Sequence, residues 1–260
     1  MHFDDLQAIA IQAVRESGKI QKEWLRKDKK IELKGEINLV TEVDRRSEQR
    51  IVEIIKKAFP KHNILTEETP MANELPSPFR WIVDPLDGTT NYAHGYPCFC
   101  TSIALELEGK IVLGAVYDPL LDELFTAQQG NGAFLNNERI SVSTTDRLTN
   151  ALICTGFPYD VRESQENNLD HFNHFVMEAR AIRRDGSAAL DLCYVAAGRF
   201  DGFWELKLYP WDVAAGKLLV EEANGRVTDF RGDPLNIYAH QILASNGKIH
   251  PEMMRVLKRR

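Results

Sequence analysis

Two carboxylates, Asp84 and Asp87, stand three residues apart within the stretch Arg80 to Pro97, which reads Arg-Trp-Ile-Val-Asp-Pro-Leu-Asp-Gly-Thr-Thr-Asn-Tyr-Ala-His-Gly-Tyr-Pro. Pro85 fixes its own φ and disfavours helix at Asp84, so the chain turns there and the two acids stay close. Paired carboxylates repel each other unless a cation lies with them, and hard oxygen ligands suit Mg²⁺ or Ca²⁺ better than Zn²⁺. Gly88 lets the backbone approach a ligand, and Thr89, Thr90 and Asn91 open a short helix whose free N–H groups favour anions. A cation site beside an anion site suits a phosphate. The same residue types also make solvated Asx turns, the competing account of Asp-Pro-x-Asp-Gly taken alone.

Other acids are candidates by position. Ile64 and Leu65 begin a short strand that ends at Thr66-Glu67-Glu68-Thr69, where one glutamate can face a site and the other point away. Asp212 lies in Tyr209-Pro210-Trp211-Asp212-Val213-Ala214-Ala215-Gly216 at the start of a helix; it is a natural N-cap there, and the small residues after it permit close packing. Asp44 follows Asn38-Leu39-Val40-Thr41 and is open to two readings, a helix N-cap or a site acid. Arg183, Arg184, Gly186 and Ser187 fall between a strand and a helix start, where an arginine fork and free N–H groups hold hydroxyls or phosphate; a surface ion pair is the alternative.

These groups need a scaffold. Trp81, Ile82 and Val83 form a strand buried on both faces that ends at Asp84. Leu6, Ala10, Ala13, Ser17, Ile20 and Trp24 set out an amphipathic helix over residues 4–27, and Ile51, Ile54, Ile55 and Ala58 mark a second one stopped by Pro60. Residues 27–34 form a charged loop or short hairpin, and 71–78 a connector. Apolar runs at 101–107, 111–117 and 121–127 form hairpin-linked antiparallel strands. No helix opens after Gly130-Asn131-Gly132, so these glycines serve turns and not a dinucleotide. A mixed α/β half follows, with strands at 151–155 and 181–184 and helices at 165–179 and 187–197, then a strand entry at 201–205, a strand at 241–244 and a short basic helix from 251. His171 and His174 mimic a metal pair, but no carboxylate stands nearby, and packing is the better account.

The chain has 260 residues, 43% of them hydrophobic, enough for one large domain or two interlocked halves. A net charge of -6 argues against a dedicated nucleic-acid surface. The N-terminus lacks the layout of a secretion signal and no apolar run reaches membrane-spanning length, so a cytoplasmic protein is expected. Cys98, Cys100, Cys154 and Cys193 are expected as reduced, buried thiols, since Cys-x-Cys is not a redox or zinc spacing.

Asp84 to Asn91 and Trp211 to Gly216 resemble the two signatures of the inositol monophosphatase family, and the likeness extends over nearly the whole chain. The sequence departs from the family pattern at Asn38, usually Asp, and at Thr66, usually Gly before the glutamate pair. The resemblance implies an α/β five-layered α-β-α-β-α sandwich, here one domain in two halves at about 1–145 and 146–260. It also implies Mg²⁺-dependent hydrolysis of phosphate monoesters, lithium sensitivity and a homodimer. Glu67, Asp84 and the Leu86 carbonyl would hold one ion, Asp84, Asp87 and Asp212 a second, and Glu67 would share a third, weaker one, with Glu68 as outer support.

By the same resemblance Glu67 and Thr89 would orient the attacking water, and Asp44 would lie near the metals as a further catalytic acid. The Gly88 and Thr89 amides would hold phosphate, and Glu205 a sugar hydroxyl, alongside Asp87, Asp212, Gly186, Ser187, Arg183 and Arg184 around the substrate. Fructose 1,6-bisphosphate is the second candidate substrate, with Arg183 or Arg184 meeting its other phosphate. A protein partner in transcription antitermination is the reading from another class.

Overall fold

The structure is a computed structural model and describes residues 3–25, 31–33, 39–69 and 76–259. Two helices, α1 (Phe3–Trp24) and α2 (Glu42–Ala58), flank two short strands, β1 (Ile31–Leu33) and β2 (Leu39–Thr41), which pair antiparallel with Ile31 opposite Thr41. Pairing thus meets the hairpin option for part of 27–34. Asn38, and residues 71–75 of the expected connector, lie outside the described residues.

The first large sheet follows in chain order: β3 (Asn63–Thr66), β4 (Phe79–Asp87), β5 (Cys100–Leu107), β6 (Lys110–Asp118), β7 (Glu123–Gln128), β8 (Gly132–Leu135) and β9 (Glu138–Arg139), with a short helix α3 (Thr89–His94) after β4. Each strand neighbours the next, and only the β3–β4 pair is parallel. The second sheet has the order β11-β10-β12-β14-β13, made from β10 (Leu152–Thr155), β11 (Ala181–Arg183), β12 (Gly202–Leu206), β13 (Arg226–Thr228) and β14 (Gln241–Ser245). Its helices are α4 (Leu169–Val176), α5 (Ala188–Ala196), α6 (Pro210–Glu222) and α7 (His250–Leu257).

Side-chain period sorts these elements into five layers. On β4, Trp81 and Val83 face outward into a core with Leu6, Ala13 and Val14 of α1 and Ile51 and Ile55 of α2. Ile82 faces the opposite way, into a central core where α5 and α6 lie between the two sheets. Phe175 of α4 and Met253 and Val256 of α7 cover the far face of the second sheet with Trp204 and Leu243. The order is α-β-α-β-α.

The small residues of α6 make the central layer possible. A Cβ on Gly216 would lie 2.5 Å from Leu192 of α5, and one on Gly114 of β6 would lie 3.0 Å from the Ala215 carbonyl. Backbones approach this closely only where side chains are absent.

Helix α4 is shorter than the apolar spacing over 165–179 suggests. Asn168 adopts a left-handed conformation, φ 71°, directly before it. Its buried side chain donates to Thr155 Oγ1 at 2.9 Å and to the Gly156 carbonyl at 2.7 Å, and accepts from Trp204 Nε1 at 2.8 Å. These bonds to β10 and β12 outweigh one further helical turn. His171 packs edge-on against Phe230, which gives it a packing role. All four cysteines are free and buried.

Candidate active site

Strand β4 does not stop at Asp84. Asp84 pairs with Ser102 and Asp87 with Cys100, so three residue steps on β4 oppose two on β5, and the strand carries a bulge. Pro85 ends regular pairing without ending the strand. Its carbonyl is held by Gln21 Nε2 at 2.9 Å and by the hydroxyls of Ser17 and Thr101, each at 3.2 Å. The Asp84 carboxylate spans the bulge by accepting the Leu86 N–H at 2.9 Å. Beyond it Gly88 has φ 91°, and a Cβ there would meet the Cys98 carbonyl at 2.8 Å, so glycine is required on both counts.

Three further elements bring groups to the same place. Asp87 Oδ2 accepts the Ser187 hydroxyl at 2.6 Å and the Ala189 N–H at 2.8 Å, which fastens the end of β4 to the start of α5. Asn91 reinforces that join, donating to the Asp185 carbonyl at 2.8 Å. Asp212 is the third residue of α6 and not its N-cap, a position taken by Tyr209; its Oδ2 reaches back to the Tyr209 N–H at 2.7 Å. Asp44 is likewise no N-cap. It lies in the first turn of α2, fully buried, with its Oδ1 2.9 Å from Thr89 Oγ1, while the same hydroxyl lies 3.0 Å from the Leu86 carbonyl.

These elements enclose a cleft of about 400 Å³ lined by Glu67, Asp84, Asp87, Gly88, Thr89, Glu205 and Asp212, among others. A side lobe of about 140 Å³ continues from Asp87 and Asp212 to Arg184, Gly186, Ser187 and Asp191. Arg183 is the exception in the expected set: it is exposed and donates to its neighbour's carbonyl, Ile182, at 3.1 Å. Arg184, just past the end of β11 and also exposed, lines the lobe, which Arg183 does not.

The charges do not balance. Burial, and then the neighbouring Glu67, Asp87 and Asp212, hold the Asp84 carboxyl well above the usual carboxylate range. Burial also raises Asp87, against the pull of Ser187 and the α5 N–H groups, and raises Asp212 together with Asp87 and Glu67. Among the described residues no lysine or arginine forms an ion pair with Asp84, Asp87 or Asp212. No three acidic, histidine or cysteine side chains among them converge into a finished ligand set. The donor chemistry nonetheless fits a hard divalent cation: oxygen donors only, in excess of one charge, and not ion-paired to a described lysine or arginine.

Several residues at the cleft carry no signal in the motifs. Glu48, buried on α2 one turn after Asp44, accepts the Glu68 N–H at 2.9 Å and the Thr69 hydroxyl, and so holds the turn that carries Glu67. Glu68 meets Glu48 through its backbone N–H. The loop with Phe157, Tyr159 and Asp160 lines the cleft opposite the acids and meets Lys207 there. Asp191 was hidden by sitting mid-helix in an apolar run, where i to i+4 spacing from Ser187 is its only trace.

Among the described residues no helix is long and apolar enough to cross a membrane. The family profile described as "Inositol monophosphatase family" matches residues 2–260. The chain is 47% identical over 220 residues to an "Inositol-1-monophosphatase" of Synechocystis sp., covering 85% of this chain and 77% of the relative. It is 44% identical over 240 residues to "Nus factor SuhB" of Vibrio cholerae, covering 92% and 90%. The solved inositol monophosphatase from Anabaena (Nostoc) sp. superposes with a TM-score of 0.91 at 43% identity, covering 99% of this chain and 96% of that one. With both signatures on one cleft and the match spanning the sequence, the chain belongs to the inositol monophosphatase family and is a phosphatase.

Proposed function

We propose that the enzyme hydrolyses phosphate monoesters of polyols, with inositol 1-phosphate as its substrate, by in-line attack of water on phosphorus. The observation that carries this reading is the cluster Glu67, Asp84, Asp87 and Asp212, gathered on one cleft beside the Gly88 and Thr89 backbone. The name of the Synechocystis relative supports the choice of substrate. The relative named as a Nus factor belongs to the same family, so its name does not displace the reading.

Glu67, Asp84, the Leu86 carbonyl, Asp87 and Asp212 would hold Mg²⁺, which when bound supplies positive charge to the phosphate and the leaving oxygen. The Leu86 carbonyl lies 3.0 Å from the Thr89 hydroxyl and keeps at least one lone pair to offer. Asp44 can only accept from Thr89, so the hydroxyl proton points at Asp44 or Leu86 and the Thr89 oxygen is left as an acceptor for the attacking water. Glu67, held by the turn that Glu48 grips, is the base for the other proton of that water. The new P–O bond forms as the ester P–O bond breaks, and the leaving alkoxide takes up a proton.

About two or three Mg²⁺ ions, sensitivity to Li⁺, a homodimer, a cytoplasmic setting and a single domain in two interlocked halves belong to the same proposal. The test is phosphate release from inositol 1-phosphate and fructose 1,6-bisphosphate, with and without Mg²⁺ and with Li⁺ added. Mg²⁺-dependent, Li⁺-inhibited release favouring the monophosphate is expected. Preference for the bisphosphate would move the substrate to that class and direct attention to Arg184, and release from neither would end the reading.

A further inference from the structure

The side lobe of the cleft holds a buried acid that the phosphate chemistry does not use. Asp191 is 1% exposed, lines the lobe, and its Oδ1 has no hydrogen-bond partner among the described residues. A buried carboxyl oxygen without a donor is unfavourable unless a ligand or water supplies one.

Its neighbours narrow the choice of ligand. Glu205 lies in the same lobe, is also buried, and no described residue donates to it. Its carboxylate fills the space that a side chain on Gly156 would occupy, so the acid is packed against the Gly156 backbone, and both residues line the lobe. Arg184 is the cation of the lobe, and among the described residues it makes no ion pair. The lobe therefore sets two carboxyl groups with open hydrogen-bonding capacity beside one positive charge. An apolar group would leave the carboxyl oxygens unsatisfied, and a cationic one would meet carboxyls that burial favours in the neutral form, beside the charge of Arg184. Neutral hydroxyls, each a donor and an acceptor, suit both.

We propose that Asp191 is a specificity-determining residue that accepts a hydrogen bond from a hydroxyl of the polyol carried by the phosphate. The assignment rests on the phosphatase reading of the same cleft and adds to it the reason the enzyme would prefer hydroxylated leaving groups. Asp191 touches the substrate but takes no part in the transfer, since it lines the lobe and not the main cleft.

The experiment compares the parent enzyme with Asp191→Asn and Asp191→Ala on inositol 1-phosphate and on phenyl phosphate, which has no hydroxyl to offer. For Asp191→Ala, KM for inositol 1-phosphate should rise about tenfold with kcat nearly unchanged, and for phenyl phosphate KM should stay within about twofold. Asp191→Asn keeps the shape and one acceptor, so its KM should rise less, and its melting temperature should match or exceed the parent's because an unpartnered buried acid is gone. Free inositol should raise the melting temperature of the parent and not that of Asp191→Ala.

Equal changes on both substrates, or none on either, would overturn the assignment. If the parent ignores inositol 1-phosphate but cleaves phenyl phosphate, the choice of substrate fails separately. Asp191 is then judged by the same comparison with glycerol 2-phosphate and sorbitol 6-phosphate, and a parent that cleaves no polyol phosphate overturns it.

Discussion

The two ends of the cleft hold their carboxylates in opposite ways. At the phosphate end each aspartate is gripped by backbone: Asp84 by the Leu86 N–H across the bulge, Asp87 by Ser187 and Ala189 at the start of α5, Asp212 by the Tyr209 N–H at the start of α6. At the far end Glu205 and Asp191 are placed by packing, and no described residue donates to Asp191 Oδ1. The difference follows from what each end meets. A cation gives no hydrogen bonds and demands oxygens at fixed points, so the protein must orient them in advance. A polyol brings its own donors and can orient the acids that bind it.

The sharpest break in this contrast is Asp87→Asn. The amide oxygen can still accept from Ser187 and Ala189, so the join between β4 and α5 should survive and the melting temperature should change little. The charge is lost, and kcat/KM should fall about a thousandfold, as removal of several kcal/mol of transition-state stabilisation requires. Steady-state kinetics beside thermal melting would check both halves. A folded variant with near-normal turnover would take Asp87 out of the cation set.

A smaller effect separates the ends by pH. Asp84, Asp87 and Asp212 all have carboxyls raised by burial, and burial pushes Glu205 up to about 8 against the opposing Arg184. An acid whose folded value is raised binds its proton more tightly when folded. Its stabilising contribution is complete below its unfolded value, near 4.5 for Glu205, and is lost as pH rises toward 8. In EDTA the unfolding free energy should therefore decline from pH 5 to 8, by up to about 1.4 kcal/mol per pH unit for each such group. Mg²⁺ should remove the share of the phosphate end and leave that of Glu205, which Glu205→Gln would then abolish. A flat profile in EDTA would contradict the charge imbalance on which the cation site is argued.

The same contrast decides what the sequence discloses. The phosphate end is legible because its acids sit in turns whose chemistry is local: Pro85, Gly88 and the small residues after Asp212 each have a backbone reason to be where they are. Even there the bulge was hidden, since extending β4 past Asp84 depends on three donors from α1 and β5 to the Pro85 carbonyl. Period-two and period-3.6 patterns disclose the single strands and helices, while their stacking into five layers is implied only by the family resemblance. The far end has no such pattern. Asp191 looks like one polar residue in an apolar helix, Glu48 like a surface acid on α2, and Asn168 like part of a longer helix. Each takes its role from partners distant in the chain, which spacing does not reveal.

The mildest test lies at the rim of the main cleft beside Glu205, where Lys207 has φ 59°, a left-handed conformation unusual for a side chain of its size. For a residue with a Cβ this costs about 1–2 kcal/mol. Its Nζ donates to Asp160 Oδ2 at 2.6 Å and to Ser164 Oγ at 2.8 Å, which ties the loop bearing Phe157 and Tyr159 to the segment before Asp212. The pair is 27% and 46% exposed, and such pairs contribute about 0–1 kcal/mol. Strain and ion pair thus nearly cancel, and Lys207→Gly should leave the melting temperature almost unchanged while untying the loop. KM for inositol 1-phosphate should rise about two- to threefold with kcat constant, the measure of losing one weak, screened contact. Asp160→Asn should do the same, and the double variant should add little, because both break one link. High salt should shrink the effect in the parent background. Additive losses would mean that the two residues act separately, and a fall in kcat would mean that the rim positions the phosphate as well as the polyol, which would erase the division between the two ends.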